Sequence, residues 1–186
     1  MKPDTDKYPS GLAKYYEERF SSWNKKNEQI KLLEIGVFHG GGFYLYRDLL
    51  PNALLFGIDV VQPDGAPPDA TIRMVNQLDA EGLEAFAKEF GPFDVIIDDG
   101  CHTYSAIKNC HTVLWKHLNP GGFYFVEDWS ICYFESYRNK PQFTANLHFA
   151  HEMLDFVDNI STAIKNSEII HNRPPAFSII ALQKNE

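Results

Sequence analysis

No stretch of this sequence is apolar for long enough to cross a bilayer, and the N-terminal MKPDTDKYPSG has no apolar signal core. Neither a membrane span nor an export signal is therefore expected. Clusters of Lys and Arg are also missing. The 17 basic residues stand against 25 acidic ones, and a net charge of −8 argues against nucleic acid as a partner, because phosphate backbones call for basic patches. Cysteine is scarce: Cys101, Cys110 and Cys132 make an odd number without a secretion signal, as expected for reduced thiols in a cytoplasmic protein. There is no internal repeat and no low-complexity tract. What is present is ordinary globular composition, 44% hydrophobic and 23% charged, with 14 Phe, 9 Tyr and 3 Trp. At 186 residues the chain is expected to be one domain.

The periodicity predicts how that domain is built. Leu12, Tyr16, Phe20 and Trp23 share a helical face, giving an N-terminal helical segment over 1–29. From residue 30 to 186 strands and helices alternate. Strands are predicted at Ile30–Ile35, Ala53–Val60, Thr71–Val75, Phe93–Ile97 and Phe123–Val126. Helices are predicted at the glycines after Ile35, around Leu83 to Phe90, and around Ile107 to Leu118, the last closed by Asn119-Pro120-Gly121-Gly122. Alternation of this kind means βαβ units and a parallel sheet. The tail breaks the pattern. After a helix with Leu147, Ala150, Leu154 and Val157 on one face come two apolar runs, Glu168–His171 and Phe177–Leu182, joined across Asn172–Pro175. They read as a hairpin that sets the last strand antiparallel. The expectation is a Rossmann-like α/β fold: a mostly parallel seven-stranded sheet, a C-terminal antiparallel hairpin and helices on both faces.

Ligands of such sheets sit beyond the carboxyl ends of the strands. The first strand runs into Gly36-Val-Phe-His-Gly-Gly-Gly42, where glycines allow close backbone approach and a helix start offers N–H groups to an anion. That anion is a pyrophosphate or an amino-acid carboxylate. The spacing is not G-x-G-x-x-G, which weakens the pyrophosphate reading. Asp59, ending the second strand, fits a carboxylate that accepts ribose hydroxyls. His39 reads as a loop residue rather than a catalyst.

Acidic pairs end the fourth and fifth strands, Asp98-Asp99 and Glu127-Asp128. Four carboxylates in one cleft repel unless a cation or a proton intervenes, and an all-oxygen donor set suits Mg²⁺ or another hard divalent ion. Asp99, Glu127 and Asp128 are the candidate ligands, with Asp98 nearer the cofactor or structural. The plain alternative is two strand ends with their own ion pairs, with Thr103 capping the next helix. His102, three residues past Asp99, is placed to take a proton from a hydroxyl; His111 and His117 read as structural. Cys101-His102 and Cys110-His111 invite a zinc reading, but most of a helix separates them.

Four motifs then carry a resemblance. Leu33-Glu-Ile-Gly-Val-Phe-His-Gly-Gly41, Phe56-Gly-Ile-Asp-Val60, Asp94-Val-Ile-Ile-Asp-Asp-Gly-Cys-His102 and Asn119-Pro-Gly-Gly-Phe-Tyr-Phe-Val-Glu-Asp128 resemble the metal-dependent sugar O-methyltransferases of macrolide and aminocoumarin biosynthesis, a class I methyltransferase family. The resemblance covers residues 31–128 and, more loosely, the tail. It implies S-adenosyl-L-methionine as cofactor and Mg²⁺ as metal. Gly36 with its neighbours Glu34, Phe38, His39 and Gly40 would hold the methionine part, Asp59 the ribose and Gln77 the adenine, with Asp98 beside the cofactor. Asp99, Glu127 and Asp128 match the magnesium positions and His102 the general base, so Asp99 and His102 form the catalytic pair. Gly42 and Cys101 depart from the family, where serine is common.

The acceptor expected from this is a hydroxyl of a sugar or glycosylated small molecule, with the 129–143 stretch and the N-terminal helix shaping its pocket. Family members carry a longer N-terminal portion, and a homo-oligomer stays open. Three other readings compete: a catechol or phenol O-methyltransferase of the same fold, a nicotinamide-dependent oxidoreductase, and an inactive cofactor-binding module. The glycine spacing and the terminal hairpin weigh against the oxidoreductase. Asp99, His102, Glu127 and Asp128 together weigh against the inactive module.

Overall fold

The computed structural model describes residues 5–133, 136–137, 140–144, 146–159, 163–171 and 177–186. The elements run α1 (Lys7–Ser10), α2 (Leu12–Ser21), β1 (Lys31–Ile35), α3 (Gly41–Leu49), β2 (Leu54–Asp59), β3 (Thr71–Met74), α4 (Ala80–Phe90), β4 (Phe93–Asp98), α5 (Tyr104–Leu114), β5 (Leu118–Glu127), α6 (Pro141–Thr144), α7 (Asn146–Asn159), β6 (Ile164–His171) and β7 (Ser178–Lys184). One seven-stranded sheet joins them in the order β3-β2-β1-β4-β5-β7-β6. The first five strands pair in parallel, and β7 runs antiparallel between β5 and β6. This is the expected Rossmann-like sheet with its closing hairpin. Among the described residues no helix is long and apolar enough to cross a membrane.

Strand alternation divides the core in two. On one face Leu33, Phe56, Ile96, Tyr124 and Ile180 pack under α4, α5 and α7. On the other, Leu32, Leu55, Val95, Ile97, Phe125 and Ile179 pack under α2 and α3, where Tyr16, Phe20, Phe43 and Tyr46 are fully buried. On this second face Tyr16 stacks on Phe20 and meets Phe125 edge-on at 5.1 Å.

Two expectations needed correction. β5 begins at Leu118, so Asn119 to Gly122 lies inside a strand instead of closing a helix. A register shift between Phe93 and Val95 on β4 absorbs the Pro and Gly residues there. On α7 the inward face is Phe149, Ala150 and Met153, while Leu154 is half exposed. The side chains of Leu147 and Val157, and the turn at 172–175, lie outside the described residues.

Candidate active site

β1, β4 and β5 are neighbours, so their carboxyl ends bring Gly36, Asp99 and Asp128 to one edge. A cavity of about 440 Å³ opens there, walled by Lys7, Glu34, Gly36, Asp99, His102 and Asp128 among others. A second cavity of about 410 Å³ shares Gly36, Phe38, Asp99 and Gly100 with the first and continues past Asp59 to Asn76, Gln77 and Leu78. The two form one bent site around the glycine loop. Gly36 is required at the bend. Its φ is +84°, and a side chain there would collide with the Asp99 carbonyl oxygen.

Among the described residues, Phe38, His102 and Asp128 are the three non-glycine residues with positive φ, at about 50°, and all three lie in the loops of this site. Such conformations cost of order 1–3 kcal/mol each and collect where function fixes the backbone. Asp128 is braced from the far end of the chain. Its N–H donates to the Ser178 carbonyl at 2.9 Å, and the Ser130 N–H donates to Ser178 Oγ at 3.2 Å.

The second lobe suits a nucleoside. Asp59 Oδ2 accepts from the Phe38 N–H at 2.9 Å and Oδ1 from the Val60 N–H at 2.6 Å. The carboxylate is thereby aimed, with lone pairs left for a diol. The apolar side chains of Val60 and Leu78 stand exposed at the rim. His39 lines the first lobe but is turned outward to Asp64, 2.7 Å away, and Gly40 serves as the left-handed N-cap of α3.

The adenine contact expected of Gln77 is weakened by its position. Gln77 borders the lobe, yet its amide donates to Asp98 Oδ1 at 2.8 Å and accepts from the Cys101 N–H at 2.8 Å. Asp98 is moved out of the site altogether. It is 1% exposed, lines neither lobe, and burial pushes its carboxyl up to about 7. Its part is to hold Gln77, which holds the loop at Cys101.

The acids of the first lobe split into two sets. One ligand atom each from Asp99, His102 and Asp128 lies within 4.8 Å of the others, a spacing that fits a divalent ion. Asp99 Oδ1 faces His102 Nε2 at 3.9 Å. Glu127, expected as the third carboxylate ligand, is placed differently. It is 1% exposed and faces the α2 side of the sheet, where Tyr16 donates to Oε1 at 2.7 Å. The Lys7 ammonium, 2% exposed, lies 2.9 and 2.8 Å from its two oxygens and 2.6 Å from Asp99 Oδ2.

Glu34 lies beneath, its Oε1 accepting from Tyr46 at 2.8 Å and 4.0 Å from Lys7. Gly42 sits against that oxygen, so a side chain there would require Glu34 to shift. Burial, partly offset by Lys7, pushes Glu34 up to about 8. Burial works to lower the Lys7 ammonium, but Asp99, Glu127 and Glu34 outweigh it and hold it well above the usual lysine range.

Lys7 is the functional residue that the sequence reading missed. The convergence of acids was the signal that a cation belonged there, but nothing local marks residue 7. In the 129–143 stretch, no described residue lines either lobe. Trp129 is buried and donates to the Ile170 carbonyl, and the wall is made instead by Thr5, Asp6 and Lys7.

Comparison with known proteins bears on the family and the fold. Residues 33–129, more than half of the chain, match the family described as "Methyltransferase domain", and the chain belongs to that family. It is 30% identical over 176 residues to the mycinamicin VI 2''-O-methyltransferase of Micromonospora griseorubida, covering 88% of this chain and 42% of that protein. It is also 30% identical over 145 residues to the L-olivosyl-oleandolide 3-O-methyltransferase of Streptomyces antibioticus, covering 71% of this chain and 38% of the relative. Among solved structures, the MycE methyltransferase of the mycinamycin pathway, in complex with Mg, SAH and mycinamycin VI, superposes with a TM-score of 0.76 at 25% identity. That match covers 92% of this chain and 49% of MycE. The chain thus spans about half the length, or less, of the relatives it matches.

Proposed function

We propose that this protein transfers the methyl group of S-adenosyl-L-methionine to a hydroxyl of a sugar or glycosylated small molecule, assisted by a divalent metal ion such as Mg²⁺. The observation that carries the reading is the meeting of Asp99, His102 and Asp128 at the wall shared with a nucleoside-sized lobe. It is supported by relatives named for O-methylation of glycosylated compounds and by the MycE complex with Mg and SAH.

The glycine loop at Gly36 and Gly40 approaches the methionine part, Glu34 lies beneath it, and Asp59 accepts the ribose hydroxyls. Asp99 and Asp128 would hold the ion, which when bound supplies a Lewis acid that makes a hydroxyl more acidic. His102 receives the hydroxyl proton at Nε2. The oxygen–carbon bond forms as the carbon–sulfur bond of the sulfonium breaks, leaving S-adenosylhomocysteine. The walls of the first lobe set the in-line approach.

Calorimetric titration with S-adenosyl-L-methionine, beside NAD, tests the cofactor; binding of NAD alone would overturn the reading. Asp99→Ala is expected to abolish metal-dependent turnover of a sugar acceptor while leaving cofactor affinity nearly intact. Unchanged turnover in that variant would remove the metal from the mechanism, and turnover of catechols alone would reassign the acceptor.

A further inference from the structure

The inner half of the acidic cluster already carries a cation of the protein's own. Lys7 Nζ sits within hydrogen-bond distance of Asp99 Oδ2 and of both Glu127 oxygens, and it is buried. Among the described residues no other lysine or arginine pairs with Glu34, Asp99 or Glu127. The contact spans 92 residues to Asp99 and 120 to Glu127, so it exists only because α1 is docked on the sheet edge. With Lys7 in place, Glu127 has one oxygen shared between the ammonium and Tyr16 and the other on the ammonium. An ion held by Glu127 and Asp99 at metal–oxygen distances near 2.1 Å would stand next to that ammonium with like charge.

We propose that Lys7 is a resident counter-cation that competes with the divalent ion for Asp99 and Glu127, so that the position of α1 sets the ion affinity of the site. Two arrangements follow from the geometry. With Lys7 in, the ion is left with Asp99 Oδ1 and Asp128 as its carboxylates. With Lys7 withdrawn, Glu127 joins Asp99 and Asp128 as a third carboxylate. The second binds an ion more tightly, but it is reached only when α1 leaves the wall of the cavity. The apparent affinity of the wild type is therefore reduced by the fraction of molecules with Lys7 withdrawn. The first lobe also gains an opening, since Thr5, Asp6 and Lys7 form that wall.

The inference rests on the metal-assisted reading above, and the test separates the two. Mn²⁺ binding to the purified full chain, followed by electron paramagnetic resonance, is compared between wild type and Lys7→Met. The variant is expected to bind Mn²⁺ roughly ten-fold or more tighter. Equal affinity would overturn the competition and leave the metal reading standing, whereas no Mn²⁺ binding by either protein would overturn both. Should Lys7→Met not fold, hydrogen exchange on the wild type decides. The Ser10 N–H bonds the Asp6 carbonyl at 3.0 Å and the Gly11 N–H bonds the Tyr8 carbonyl at 3.3 Å. Both amides are expected to exchange faster at saturating Mn²⁺, and unchanged exchange there would overturn the proposal.

Discussion

β4 and β5 both run out into a pair of acids, Asp98-Asp99 and Glu127-Asp128, and in both pairs the first acid is buried while the second lines the cavity. The two buried members nevertheless differ in chemistry. Asp98 pairs with Val126 in the sheet register, so Glu127, one residue further along, projects to the opposite face. Asp98 meets neutral partners, Gln77 at 2.8 Å with Cys110 close by, on the α5 side. Glu127 meets a cation and a phenol, Lys7 and Tyr16, on the α2 side. A one-residue offset thus decides which buried acid supports a loop and which carries a charge that must be balanced.

The largest effect that would sharpen this difference is expected for Glu127→Ala. It leaves the Lys7 ammonium buried with Asp99 as its remaining close partner, and breaking a buried pair in this way costs about 3–5 kcal/mol. Urea denaturation without added divalent ions measures it. Asp98→Ala removes a neutral-partner contact and strands one amide N–H of Gln77, so the loss should be smaller, about 1–3 kcal/mol. Equal losses in the two variants would break the comparison.

Tyr46→Phe deletes the donor to Glu34 and is expected to cost about 1 kcal/mol in the same assay. A further effect lies away from the acids and shows only on acidification. His111 is buried among Trp115, Tyr124 and Phe156, and burial lowers it from 6.5 to about 4. Between those values the unfolded chain holds a proton that the folded chain does not, so wild-type stability rises with pH across this window and is lost on acidification. His111→Phe should remove that slope and change little above pH 7. Denaturation midpoints measured from pH 4.5 to 7.5 would show it.

Much of the layout was legible because it is written in local pattern. The apolar runs that became β1 to β4, the glycines opening α3 and the hairpin made by β6 and β7 each follow from spacing within a few residues. The gathering of Asp99, His102 and Asp128 was legible too, since strand ends in a parallel sheet share an edge. Three things were not. The face each acid takes depends on register across strands, which put Glu127 behind Lys7 and Asp98 behind Gln77. The start of β5 was hidden because Pro120 and the glycines beside it signal a turn, and the register shift opposite them is a tertiary accommodation. Lys7 was invisible because a lysine in a polar leader gives no sign of burial; its partners lie a hundred residues away.

The brace that Ser178 lends to Asp128 ties the site to the closing of the sheet. The loop bearing Asp128 lacks this brace until β7 has docked between β5 and β6. Until then β5 is an open edge, carrying Phe123, Tyr124 and Phe125 and able to pair with any passing strand. Docking of β7 therefore closes the sheet and braces the acid-bearing loop in one event.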